Sequence, residues 1–104
     1  MTLTLTNYEF RDKLMNCLAR RATYTGPASY TTGGEVINNL TDFGWGRTHT
    51  LIGVAKNAAL TAYRLLVFDL ATQAVIWAVP DTGAEVAATT DLSGFTAEIF
   101  VTGR

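Results

Sequence analysis

The stretch Ala62-Tyr63-Arg64-Leu65-Leu66-Val67-Phe68-Asp69-Leu70-Ala71-Thr72-Gln73-Ala74-Val75-Ile76-Trp77-Ala78-Val79 decides the fold. Two runs rich in β-branched and aromatic residues flank Asp69 to Gln73, whose polar side chains can satisfy turn backbone groups, so the sequence predicts a β-hairpin. Its arms are apolar on both sides. Tyr63, Leu65 and Val67 share one face and Leu66 and Phe68 the other, while Val75, Trp77 and Val79 oppose Ile76 and Ala78. A strand with one face in water alternates apolar with polar residues instead. One face of the hairpin is therefore expected to pack on the rest of the chain, and the other on further chain or a neighbouring subunit.

Downstream, Pro80-Asp81-Thr82-Gly83 is a turn signal, Glu85 to Ala88 reads as a brief strand, and Thr89 to Gly94 is a second polar turn. The last strand, Phe95 to Thr102, places Phe95, Ala97, Ile99 and Val101 on one face and Thr96, Glu98 and Thr102 mainly on the other, with Phe100 breaking the alternation. The first group matches one face of the hairpin.

Upstream, Lys56 to Thr61 is a small-residue connection and His49 to Ala55 a strand, with His49 at its surface. Residues 36 to 46 read as a turn or a single helical turn leading into Trp45. Gly26-Pro27 breaks the chain, and the loop Ser29 to Glu35 carries Gly33-Gly34 for positive φ or close backbone approach. Phe10, Leu14 and Leu18 are spaced as in a helix, but Asn16, Thr23, Tyr24 and Thr25 are poor helix formers, so a strand from about Leu14 to Thr25 is expected. Cys17 within it reads as an inert buried side chain. Leu3 and Leu5 alternate with Thr2, Thr4 and Thr6, which suits a first strand or an arm pairing with another chain's sheet edge. The expectation is an all-β fold: one domain over residues 1–104, an antiparallel β-sandwich or small barrel with short connecting turns, residues 1–10 forming an N-terminal strand or arm.

Composition narrows the function. The 104 residues are 48% hydrophobic and only 16% charged, with a net charge of −1. Soluble domains typically carry about 25% charged residues, so the shortfall suggests surface hidden in an assembly, and the near-neutral balance gives no general attraction to nucleic acid or anionic lipid. One cysteine and one histidine exclude an internal disulfide framework and a soft-ligand metal set, and no cofactor is expected. No signal peptide or membrane-spanning run is visible.

Enzymatic chemistry finds no support. The nucleophile elbow, a second histidine and the phosphate-loop pattern are all missing from the sequence. The acid pairs Glu85 with Asp91, and Asp69 with Asp81, read as solvated turn residues. Tyr24, Tyr30, Trp45 and Tyr63 are the aromatics that a carbohydrate-binding sandwich would need to expose in a row.

An ordered set of motifs resembles a known group. Ser29-Tyr30-Thr31-Thr32-Gly33-Gly34-Glu35 is similar to an SYPTGGE loop, with Thr31 standing where the group has proline. The hairpin from Tyr63 to Ala78, the run Thr82 to Ser93 and the closing Phe100-Val101-Thr102-Gly103-Arg104 follow in the same order. Together they resemble small structural proteins of tailed bacteriophages, and the match runs from Ser29 onward. The resemblance implies a β-rich capsid decoration (cement) protein that is made in the host cytoplasm, sits on the outer surface of the virion head and binds the major capsid protein. It also implies a homo-oligomer, a trimer being favoured; a head completion or tail-associated protein is the alternative within the virion, and a carbohydrate-binding module the alternative outside it. Contact residues expected on this reading are Leu3, Leu5, Trp45, Tyr63, Phe68 and Ile76, with Arg64 beside them.

Overall fold

A computed structural model describes the backbone of residues 2–12 and 17–104, with side chains from Leu18 onward. The elements are β1 (Thr2–Asp12), β2 (Cys17–Thr25), β3 (Glu35–Val36), α1 (Asn39–Asp42), β4 (Thr48–Ile52), β5 (Val54–Asn57), β6 (Tyr63–Asp69), β7 (Ala74–Ala78) and β8 (Phe95–Gly103). All strands join one antiparallel sheet in the order β1-β2-β8-β5-β6-β7-β3, with β4 also paired to β8. The sheet curls into a half-barrel, so the all-β expectation holds.

The closing strand organises this sheet. One edge of β8 pairs with β2 from Leu18↔Gly103 to Thr25↔Thr96. Its other edge is shared: β4 takes Phe100 to Gly103, and β5 takes Phe95 and Thr96. Gly53 lies at the break between β4 and β5, where a Cβ would come within 2.8 Å of the Ile99 side chain. The alternation read from the sequence is realised, with Ala97, Ile99 and Val101 buried and Thr96 and Glu98 exposed.

The predicted hairpin is β6–β7, in the register Leu65↔Ala78, Leu66↔Trp77, Val67↔Ile76, Phe68↔Val75 and Asp69↔Ala74. Directly opposed residues share a face, so Leu66, Phe68, Val75 and Trp77 point inward. Trp77 is fully buried, with Tyr24 edge-on at 5.6 Å and Phe95 at 6.4 Å between ring centroids. Its indole N–H donates to the Tyr24 hydroxyl at 3.2 Å, so the ring is buried without orphaning its donor.

Of the segment open between helix and strand, Phe10 to Asp12 belongs to β1 and Cys17 to Thr25 forms β2, while residues 13–16, where the expected strand would begin, lie outside the described residues; β1 pairs with β2 from Thr2↔Thr25 to Asp12↔Cys17, with an irregularity between Leu5 and Glu9. Thus β1 serves as a strand of its own chain's sheet. The single helical turn expected before Trp45 is α1. The brief strand expected at Glu85 to Ala88 is not formed: a single bridge, Ala78↔Glu85, stands there, because polar turns on both sides leave no room for a ladder. Of the alternatives expected for the glycine pair, positive φ is taken by both, Gly33 at +95° and Gly34 at +102°, and close approach by Gly34, where a Cβ would lie 2.7 Å from the Val75 carbonyl oxygen. The Cys17 side chain lies outside the described residues.

Gln73 ties the hairpin to the rest of the sheet. It adopts a left-handed φ of 56°, and its amide mimics a strand residue: Nε2 donates to the Thr48 carbonyl at 3.0 Å while Oε1 accepts from the Thr48 N–H at 2.9 Å. The same Oε1 accepts from Asn39 Nδ2 at 3.0 Å. Thr48 is fully buried, donating its hydroxyl to Asn39 Oδ1 at 2.6 Å and accepting from the Trp45 indole at 3.0 Å. Removing the amide strands buried polar groups, which costs more than the bonds themselves. Gln73→Ala is expected to lower unfolding stability by roughly 2–4 kcal/mol, against a change within about 0.5 kcal/mol for the exposed Thr72→Ala; urea denaturation of both variants measures the difference.

Candidate functional site

On the outward face of the hairpin the β6 side is apolar and exposed, whereas on β7 Ile76 is half-buried and Ala74 and Ala78 are buried. Tyr63, Leu65 and Val67 on β6 point away from the core, and the register carries the face sideways through direct pairs: Val54↔Leu65 on one side and Val67↔Ile76 on the other. Further along, Ile52 faces out from β4 opposite Phe100, and Val36 faces out from β3. Ile52, Val54, Tyr63, Leu65, Val67 and Val36 are each between 36% and 63% exposed. Isolated exposed hydrophobes are ordinary, whereas a contiguous band across several strands marks an interaction surface.

One end of the band is concave. A shallow depression of about 350 Å³ lies over Gly53, floored by Ile52, Val54, Ile99 and Phe100, with Arg21 and Glu98 at its rim. These two rim groups stand 3.8 Å apart, each about half exposed. An ion pair this open to solvent contributes little to stability. Phe100, which broke the alternation in the sequence, is the residue that brings β8 into this face.

The structure divides the expected contact residues. Tyr63 and Ile76 lie on the outer face, Tyr63 exposed and Ile76 half-buried. Phe68 does not: it pairs with Val75 and packs on the core, because the two-residue period of a strand turns it opposite to Val67. Trp45 is 3% exposed, stacked on Phe43 at 5.2 Å with the Arg20 guanidinium over its ring, so it is a core residue. Arg64 also turns away from the outer face, placing its guanidinium 4.9 Å over the Phe95 ring. Leu3 and Leu5 hold register positions opposite Tyr24 and Ala22, and their side chains lie outside the described residues. Of the four aromatics considered for sugar stacking, Tyr24, Tyr30 and Trp45 are buried and Tyr63 is exposed, so no row forms among them.

The Ser29–Glu35 loop is fixed from beneath by tyrosines and carboxylates. The Tyr24 hydroxyl donates to Glu35 Oε1 at 2.5 Å, and the Tyr30 hydroxyl donates to Glu85 Oε2 at 2.7 Å while accepting from the Trp77 backbone N–H at 3.2 Å. Glu85 Oε2 also accepts from the Gly33 N–H at 2.7 Å. Glu85 is therefore a clasp on the glycine loop rather than a free turn acid. Asp69 and Asp91 are turn residues as expected: Asp69 caps its own turn through the N–H groups of Ala71 and Thr72, and Asp91 accepts from Ser93. Burial, reinforced by the Glu35 hydrogen bond, pushes the Tyr24 phenol far up. Burial and the Glu85 hydrogen bond push Tyr30 up to about 12. The Tyr30 hydroxyl and then the Gly33 N–H hold the Glu85 carboxyl below its usual range.

Among the described residues no group of three or more His, Cys, Asp or Glu side chains could hold a metal ion, and no helix is long and apolar enough to cross a membrane. Comparison with protein-family models, curated proteins and solved structures gave no match. Ile52, Val54 and Val36 were not foreseen as surface. The adjacent apolar pair Leu51-Ile52 was the available signal, since neighbours in a strand face opposite ways.

The carboxyl and phenol shifts set opposite ends of the pH profile. Glu85 is depressed in the folded state, so the stability it contributes is present above the ordinary carboxyl range and is lost as pH falls through the depressed value. Tyr30 is raised, so its contribution is complete below the ordinary phenol value of 10.0 and is lost as pH rises from there toward about 12. In pH-dependent unfolding, Glu85→Gln is expected to flatten the acid limb and Tyr30→Phe the alkaline limb; an acid limb unchanged in Glu85→Gln would contradict the clasp.

Proposed function

We propose that this chain is a structural virion protein of a tailed bacteriophage, a capsid decoration protein that binds the major capsid protein on the outside of the head and performs no catalysis. The observation that carries the proposal is the uncovered apolar band from Ile52 through Val54, Leu65 and Val67 to Val36, on a chain poor in charge. A surface of this kind fits association with protein. The ordered motifs from Ser29 to Arg104 direct the proposal to the phage capsid. The rigid half-barrel beneath the band suits a part that acts by holding shape.

Decoration stabilises by mass action. A subunit that binds only the expanded shell adds its binding free energy to that state, and modest gains at many lattice sites sum against internal pressure. A closed cyclic oligomer, a trimer at local threefold positions, would cover the outer face of β6–β7 and leave the remaining band for the capsid.

Cryo-electron microscopy of the parent virion is expected to show the protein in hundreds of copies on the head exterior. A ring of about a dozen copies or fewer at one vertex would assign it instead to head completion or the tail, and absence from the particle would overturn the proposal. In solution, Leu65→Asp with Val67→Asp is expected to convert the wild-type oligomer to monomer with unchanged circular dichroism. Sedimentation velocity reads the outcome, and a monomeric wild type would refute self-association through this face.

A further inference from the structure

We propose that the Thr2–Leu5 half of β1 is an open sheet edge that pairs antiparallel with the same segment of a second copy of this chain, about a two-fold axis at Thr4. The contact lies at the end of the sheet farthest from β7 and β3, and it does not depend on the capsid reading.

The sheet ends in two very different strands. At one end stands β3, two residues long, and at the other β1, eleven residues long. Among the described residues β1 is paired on the edge that faces β2. Along its other edge every second residue turns its N–H and C=O away from β2, which is the template to which another strand adds. Natural edges are blunted by shortness, bulges, charge or proline. Shortness protects β3. The C-terminal half of β1 has two of the other devices: its register slips between Leu5 and Glu9, and Glu9, Arg11 and Asp12 bring charge. The half from Thr2 to Leu5 has none of them. It is in regular register with Thr25 to Ala22, uncharged, and free of proline and glycine.

The order of residues selects the occupant. An edge takes a strand, because extended backbone matches its spacing of donors and acceptors. A two-fold contact further requires the segment to complement itself, and Thr2-Leu3-Thr4-Leu5-Thr6 reads the same in both directions. Antiparallel pairing centred on Thr4 sets Thr4 opposite the partner's Thr4, Leu3 opposite the partner's Leu5, and Thr2 opposite the partner's Thr6. Directly opposed residues share a face, so leucine meets leucine and threonine meets threonine. A shift of one residue would set leucine against threonine throughout, so the pattern fixes the register. Leu3 and Leu5 stand in register with Tyr24 and Ala22 of β2, both buried, so the joined sheets continue one apolar row of register positions across the axis. A ladder this short is weak alone, below the size of a stable interface. It gains strength where other contacts hold copies side by side.

The test is disulfide trapping in the full chain, with Cys17→Ser to remove the native thiol and Leu65→Asp with Val67→Asp to remove the contact proposed for β6–β7. Thr4→Cys meets its own copy on the axis within the Cα spacing that a disulfide spans, whereas Thr2→Cys faces the partner's Thr6 and meets no second thiol. Under mild oxidation at high protein concentration, read on non-reducing gels, Thr4→Cys is expected to become largely covalent dimer and Thr2→Cys to stay monomer. Circular dichroism checks that both variants fold. In the same background without a new cysteine, Thr4→Lys sets like charges opposite each other and is expected to move dimerisation to roughly two- to fivefold higher protein concentration in sedimentation equilibrium. Three results each overturn the proposal: Thr4→Cys remaining monomer, Thr2→Cys crosslinking as fast, or Thr4→Lys dimerising like its parent. Thr4→Cys remaining monomer while deletion of residues 2–6 abolishes binding to phage heads stripped of this protein would give the edge to a strand of the capsid protein instead. Failure of the pairing leaves the capsid reading standing, and absence of this protein from the virion leaves the pairing standing.

Discussion

Burial of the Trp77 ring is the constraint on which the rest of the structure depends. The indole occupies the concave side of the half-barrel, fully excluded from water, with Tyr24 and Phe95 against its edges. An aromatic of this size dominates the local energetics, and its N–H must find an acceptor once buried. The Tyr24 hydroxyl supplies it, and that hydroxyl in turn needs Glu35, which positions β3 at the edge of the sheet. The backbone N–H of Trp77 is met by Tyr30, whose hydroxyl needs Glu85. One buried side chain thereby fixes two tyrosines, two carboxylates and the glycine loop between them.

The same economy explains where backbone strain is tolerated. Gln73 adopts a left-handed conformation at the end of the hairpin turn, and its amide bonds both backbone groups of Thr48 where β4 and β6 form no ladder with each other. The half-barrel is held together at that seam by side-chain hydrogen bonds in place of strand pairing. Such a seam is vulnerable to single substitutions, since each polar group within it has few alternative partners.

Low charge and an uncovered apolar face are two aspects of one property. With 16% charged residues the chain has few groups to cover a wide sheet, and the outer face from Ile52 to Val36 is where the deficit falls. A curled sheet has a concave side small enough for its own side chains to fill and a convex side that, among the described residues, stays open along β6. Association is the physical remedy for such a surface.

The sequence by itself determined the hairpin and the closing strand, because a two-residue period survives any packing: β6–β7 about a turn read at Asp69 to Gln73, the inward set Ala97, Ile99 and Val101, and the need for glycine at Gly33-Gly34 were legible in the residue order, whereas the strand read at Glu85 to Ala88 did not form. It also determined that the hairpin has two apolar faces. Which partner each face meets was decided by tertiary structure, since composition gives the amount of apolar surface and not its address. Trp45 and Arg64 show the reason. A tryptophan between glycines and an arginine beside Tyr63 both read as surface, yet curling of the sheet places one beneath Arg20 and the other over Phe95. The clasps of Gln73 on Thr48 and of Glu85 on Tyr30 span 25 and 55 residues, and a polar pair so far apart leaves no periodic trace in the chain. Only the closed curve of the sheet brings such pairs within hydrogen-bonding distance.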